Sequence, residues 1–96
     1  MRLLVHPAAR QELHAALRWS RREFGIGTAA RLQRRFEQCG ELLLREADIG
    51  TPAPGETRHL PLGRFPYTLV YRVRDNVVTV IALAHQGRKP GYWQQR

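Results

Sequence analysis

The chain's capacity for chemistry is concentrated near its C-terminus, where His85, Arg88, Lys89, Tyr92 and Trp93 fall within nine positions. An imidazole ionises near neutral pH, so His85 can give or take a proton. Arg88 offers a planar fork to a phosphate or a carboxylate. Tyr92 can stack on a base or orient a phosphate. Other chemistries lack their parts. Cys39 is the only cysteine, so neither a disulfide framework nor a zinc site can be built, and its place in a helical pattern reads as a buried structural thiol. No histidines, cysteines or carboxylates have metal-ligand spacing, and no glycine-rich phosphate loop precedes a helix. No cofactor is implied. His6, before Pro7, reads as a helix-entry residue, and His14 and His59 as surface histidines.

The elements that must position these groups can be read from periodicity. Arg2 to Val5 forms a short strand. Pro7 suits a first helical turn, where its missing N–H costs nothing. Ala9, Leu13, Ala16, Leu17 and Phe24 then recur at helical spacing, with Arg10, Arg18, Arg21 and Arg22 opposite, the simplest reading of which is a solvated face. Gly25-Ile26-Gly27 breaks this helix and Thr28 can cap a second over 28–46, striped by Ala29, Leu32, Phe36, Cys39 and Leu43. So short a link predicts an antiparallel helical hairpin. Residues 48–55, rich in proline and glycine, read as a loop. Strands are predicted at 56–60, 64–74 and 77–85, the last two joined at Asp75-Asn76. The whole, residues 1–96, is one α+β domain of order β-α-α-β-β-β, with the helical hairpin on one face of a small, mainly antiparallel sheet.

Charge separates the two halves. The chain carries sixteen basic and eight acidic residues, net +8, and every basic residue except Lys89 is arginine. Residues 1–57 hold nine basic and seven acidic groups; residues 58–96 hold seven basic groups against Asp75 alone. The basic surface belongs to the C-terminal half and calls for an acidic partner. No segment approaches the roughly 18 apolar residues of a membrane span, and the N-terminus lacks the apolar run of a signal peptide, so the cytoplasm is the expected location.

Pairing Arg74 with Val77 through a two-residue turn sets Arg72 opposite Thr79, Val70 opposite Ile81 and Thr68 opposite Leu83. Facing residues share a side. Tyr67, Leu69, Tyr71, Val73, Val78, Val80, Ala82 and Ala84 then lie under the helices. The other side mixes Val70, Ile81 and Leu83 with Thr68, Arg72, Arg74, Thr79 and His85. Two helices cover only one side, so this strip is either a docking surface with a charged rim or a seat for the C-terminal tail. The docking reading is preferred.

Two strings carry a resemblance: Phe65-Pro66-Tyr67-Thr68-Leu69-Val70-Tyr71-Arg72, and Ala84-His85-Gln86-Gly87-Arg88-Lys89-Pro90-Gly91-Tyr92-Trp93 with Arg96 closing. With Glu12-Leu13 and Trp19 in the first helix, they resemble the RelE/ParE toxin superfamily, closest to its ParE-type plasmid-stabilisation branch. The resemblance covers nearly the whole chain. It implies the toxin of a type II toxin–antitoxin system, neutralised by a cognate acidic antitoxin. ParE-like members are associated with DNA gyrase, RelE-like members with ribosome-dependent cleavage of mRNA.

On that footing the expected target surface is Arg72, His85, Arg88, Lys89, Tyr92 and Trp93, and the expected antitoxin surface is Val70, Arg72, Arg74, Thr79, Ile81 and Leu83. A RelE-like ribonuclease would use His85, Arg88 and Tyr92, acting on mRNA at the ribosome. Against it, such enzymes carry an arginine where this chain has Thr68, and use lysines where it has Arg58 and His59. Some ribonuclease relatives use a glutamate near the second strand as base, a place the resemblance would give to Glu56. A gyrase-directed, non-enzymatic toxin is therefore the leading expectation, a ribonuclease the second, and a non-toxic regulatory module the third.

Overall fold

A computed structural model describes all of residues 1–96. Its elements are β1 (Arg2–Val5), α1 (Pro7–Phe24), α2 (Ile26–Arg45), β2 (Thr51–Ala53), β3 (Thr57–Pro61), β4 (Tyr67–Arg74) and β5 (Val77–His85). The five strands form one sheet in the order β1-β5-β4-β3-β2, in which β1 runs parallel to β5 and every other pair is antiparallel. The α+β class and the helical hairpin against one sheet face are as the periodicity implied.

His6 opens α1 through its ring: Nδ1 accepts from the Ala8 N–H at 3.0 Å, and Pro7 follows in the first turn. One residue, Gly25, joins the helices. Its φ of 95° lies in the region open to glycine, which lets the chain reverse without a loop. The second helix therefore begins at Ile26, two residues before the expected Thr28 cap. Thr28 Oγ1 instead donates to the Phe24 carbonyl at 3.5 Å and accepts from Arg31 at 2.9 Å. The buried stripe of α1 is Ala9, Leu13, Ala16 and Ser20, leaving Phe24 outside it; that of α2 is Leu32, Phe36, Cys39, Gly40 and Leu43. Cys39 is buried, and burial pushes its thiol pKa up, so it serves as packing.

The breaker-rich loop contains a strand that composition concealed. Thr51, Pro52 and Ala53 pair with His59, Arg58 and Thr57 at the sheet edge, where a proline forfeits no ladder bond that a neighbour needs. Tyr71 pins the approach to it. Its hydroxyl donates to the Ala47 carbonyl at 2.7 Å and accepts from the Gly50 N–H at 2.9 Å. A Cβ on Gly50 would stand 2.6 Å from that hydroxyl, so only glycine fits there.

The β4–β5 turn is as expected: Asp75 and Asn76 take φ of 51° and 63°, the mirror-image turn that matches strand twist. Arg74↔Val77, Val73↔Val78, Arg72↔Thr79 and Tyr71↔Val80 follow in register. Then the ladder slips. Val70 pairs with Ala82, leaving Ile81 as an extra residue, and Leu69↔Leu83, Thr68↔Ala84 and Tyr67↔His85 complete it. A one-residue bulge exchanges the faces of everything beyond it. Leu83 is thereby carried into the helix-side core with Leu13, Leu32, Phe36, Leu43, Leu69, Tyr71 and Val80, while Ala82 and Ala84 turn outward. The expected pairs Val70–Ile81 and Thr68–Leu83 do not form, and Leu83 is not on the outer face.

The outer strip is not open. Val70, Ile81, Ala82 and Ala84 form a second apolar cluster whose cover is Trp93 of the chain's own tail, with Tyr92 packed beside it. Val70 and Ile81 are 0% and 2% exposed. Of the two alternatives for this strip, the tail is the one realised, because the bulge leaves two alanines on which a flat indole can lie closely.

Candidate functional site

The tail, residues 86–96, is held by one carboxylate. Glu12 sits on α1 beside the buried Leu13, at the height where β5 runs on past its parallel neighbour. Strand β1 pairs with β5 only as far as Val80, and His6 N–H then closes on the Val80 carbonyl at 2.9 Å. Beyond that point the outer edge of β5 is served by side chains. Glu12 Oε1 accepts from the Leu83 N–H at 3.0 Å, and Arg96 Nη1 donates to the Ile81 carbonyl at 3.1 Å.

Three tail residues converge on the same carboxylate. The Tyr92 hydroxyl donates to Glu12 Oε2 at 2.6 Å; Arg96 donates to Oε1 at 2.9 Å and to Oε2 at 3.3 Å; and Arg88 Nη1 stands 3.7 Å from Oε2. The Arg88 guanidinium carbon lies 3.7 Å from the centre of the Tyr92 ring, and that of Arg96 5.2 Å from it. Such stacking adds to the ion pairing. Burial, then the hydrogen bond to Glu12 and its charge, push the Tyr92 pKa up to about 12 against the pull of the two guanidiniums. At neutral pH the phenol is a donor and holds its proton.

His85, at the end of β5, borders hollows on both sides of the tail. A cleft of about 200 Å³ between α1 and β5 is lined by Glu12, Ala15, Ala16, Tyr67, Leu83, His85, Arg88 and Tyr92. On the outer side, a hollow of about 220 Å³ is lined by His59, Thr68, Ala84, His85, Gln86, Arg88, Pro90 and Trp93. His85 Nδ1 accepts from the Gly87 N–H at 3.0 Å, and its ring meets Tyr67 edge-on at 5.3 Å. Lys89 is exposed close by.

Of the expected target residues, His85, Arg88 and Tyr92 thus share one cleft, and Trp93 lies just across the tail. Arg72 is apart. It sits toward the turn end of β4, where Nη2 donates to the Gly55 carbonyl at 3.3 Å and Nη1 to the main-chain oxygen of Arg96 at 3.5 Å. Among the expected antitoxin residues, Val70 and Ile81 are sealed under Trp93 and Leu83 is core. Arg72, Arg74 and Thr79 remain on the outer side, Arg74 exposed and paired with Glu56 at 2.6 Å. That pair also removes Glu56 as a base beside His85, since it lies at the opposite end of the sheet.

Two roles escaped the sequence reading, in which Glu12 figured only in the resemblance and His59 as a surface histidine. Glu12 is one of only two acidic residues on α1, and its position against the buried stripe was the available signal. His59 is half-buried rather than on the surface. Its ring meets Trp93 edge-on at 5.6 Å, desolvation lowers its pKa, and its Nε2 has no partner. The other buried side-chain atom without a partner is Arg72 Nε, also on the tail side of the sheet. No cluster of three histidines, cysteines or carboxylates that could hold a metal is present, and no helix is long and apolar enough to cross a membrane.

Residues 3–90 match a family model described as the ParE toxin of type II toxin–antitoxin system, parDE. Among solved structures, a chain from "Chromosomal ParDE TA system from P. aeruginosa" is similar, with a TM-score of 0.77 and 21% identity over 88% of this chain and 95% of that one. No curated protein matches.

Proposed function

From the premise that this chain belongs to the ParE toxin family of type II toxin–antitoxin systems, we propose that it arrests growth by acting on DNA gyrase, and that an acidic antitoxin neutralises it. The observation that carries this reading is the array at the end of β5. Arg88 and Arg96 flank Tyr92, all three are held by Glu12, His85 lines the same cleft, and the exposed Lys89 follows Arg88 in the chain. The carboxylate supplies one negative charge against three cations, so the array keeps a positive excess and a rigid aromatic anchor. That combination suits tight binding to an acidic macromolecule. It is poorly suited to turnover. Glu56 is remote, and Thr68 supplies no cation to the hollow it lines.

A supercoiling assay with folded protein tests it. Inhibition by the natural chain that falls at least about tenfold in Arg88→Ala is expected. Absence of inhibition, together with absence of DNA damage after induction in cells, would remove gyrase as the target.

A ribonuclease is the second reading, favoured by one observation: His85, Arg88 and Tyr92 line the same cleft. Codon-positioned cuts in translated messages after brief induction, lost in His85→Ala plus Arg88→Ala, would establish it; intact messages would exclude it. Unimpeded growth with soluble protein would instead identify a non-toxic regulatory module. For the antitoxin, the outer side at the turn end of the sheet offers Arg72, Arg74 and Thr79 to an acidic segment. Arg74→Glu should weaken that complex, and unchanged affinity by calorimetry would move the antitoxin elsewhere.

A further inference from the structure

The free end of the helical hairpin carries a surface that neither the core nor the tail uses. Phe24 and Ile26, on either side of Gly25, are 64% and 68% exposed, and Trp19, five residues before Phe24 on α1, is 43% exposed. Trp19 and Phe24 meet edge to face, their ring centres 5.4 Å apart. On its other side Trp19 borders a hollow of about 340 Å³ with Tyr67 and His85, so the apolar ridge runs on into the cleft described above.

The ridge is set in positive charge. Residues 18–31 hold Arg18, Arg21, Arg22 and Arg31 against Glu23 alone, and none of these takes part in an ion pair. A helix C-terminus favours cations, which accounts for Arg21 and Arg22. It does not account for three large apolar side chains turned to solvent beside them. Tryptophan, other aromatics and arginine are the residues enriched at binding hot spots.

Resting on the toxin reading, we propose that this ridge is a target-docking surface that seats Phe24 and Ile26 in an apolar pocket of an acidic protein. Protein is favoured over nucleic acid by geometry. The two rings stand at 70° to one another, so they offer no parallel pair of faces to a base, and Ile26 has no face to stack. Charge complementarity supplies encounter and orientation, and the apolar pair supplies the anchor.

The test compares the natural chain with Phe24→Ser plus Ile26→Ser and, separately, Arg21→Glu plus Arg22→Glu. All four positions are exposed, so the serine pair should leave the melting temperature unchanged; the glutamate pair, which puts two anions at a helix C-terminus, should lower it by only a few degrees, and circular dichroism must show both variants folded. Survivors after induction should rise at least about tenfold in both variants. Variants that arrest growth as efficiently as the natural chain would overturn the proposal, as would a natural chain that does not arrest growth. Binding of a random duplex DNA oligonucleotide that is lost in the arginine variant would overturn it in favour of nucleic acid. Arrest without gyrase inhibition would sink the gyrase reading alone, and the same survivor counts would still decide the ridge.

Discussion

Glu12 on the first helix and Tyr92 in the tail lie eighty positions apart, yet a hydrogen bond of 2.6 Å joins them. Around that bond Arg96 closes on the same carboxylate and on the β5 edge, and Trp93 is pressed onto the outer sheet face. The tail's path is thus set by one side chain on an element far away in sequence.

Replacing that side chain should release the tail. Glu12→Gln is expected to cost about 2–3 kcal/mol, the scale of hydrogen bonds to a charged group. Tyr92→Phe, which keeps the ring under Arg88, should cost about 1–2 kcal/mol. Urea unfolding measures both. The Trp93 environment reports tail release directly, so a Glu12→Gln protein with unshifted tryptophan emission would count against the clasp.

The tail's anchor is Trp93. Trp93→Ala should destabilise by about 3 kcal/mol, the lower end for a large aromatic whose site is peripheral, and should expose Val70, Ile81, Ala82 and Ala84 to a hydrophobic dye. A stable variant that binds no dye would show that the second apolar cluster has another cover.

Alkaline stability follows from Tyr92. Its pKa is raised from the ordinary 10.0 to about 12 in the folded chain, so the folded protein keeps a proton that the unfolded chain has lost. Stability from this group is therefore intact below pH 10 and declines as pH climbs to about 12. Tyr67 and Tyr71 are shifted upward as well, by burial, so the comparison must be made against Tyr92→Phe. The variant should show a shallower decline in denaturant midpoint over that interval; identical slopes would refute the assignment.

The bulge makes its own prediction. Leu83→Asp should abolish folding rather than affect binding alone, because Leu83 is 2% exposed among the helix-side core residues. A folded Leu83→Asp protein by circular dichroism would contradict the register.

How far residues alone reveal this arrangement can be judged at three places. The Asp75-Asn76 turn and the four pairs next to it were legible because turn chemistry fixes local register. The slip at Ile81 was not, since nothing in Val-Ile-Ala-Leu-Ala distinguishes a bulge from a regular strand until both packing faces are known. His85, Arg88 and Tyr92 could be picked out by their chemistry and closeness in sequence, but His85 was expected on the outer face; its pairing with the helix-side Tyr67 and the role of Glu12 depend on the bulge and the strand edge, not on the pattern. Strand β2 was hidden because Pro52 is a breaker anywhere except an edge.

Strand β5 outruns β1 by several residues, and a strand border left without a neighbour invites copies of the same chain to add on to it. Glu12 and Arg96 occupy the very donor and acceptor that such a copy would seek, one at Leu83 and one at Ile81. The clasp is therefore also a guard on solubility: a protein stripped of both side chains should thicken into strand-stacked polymers as its concentration rises.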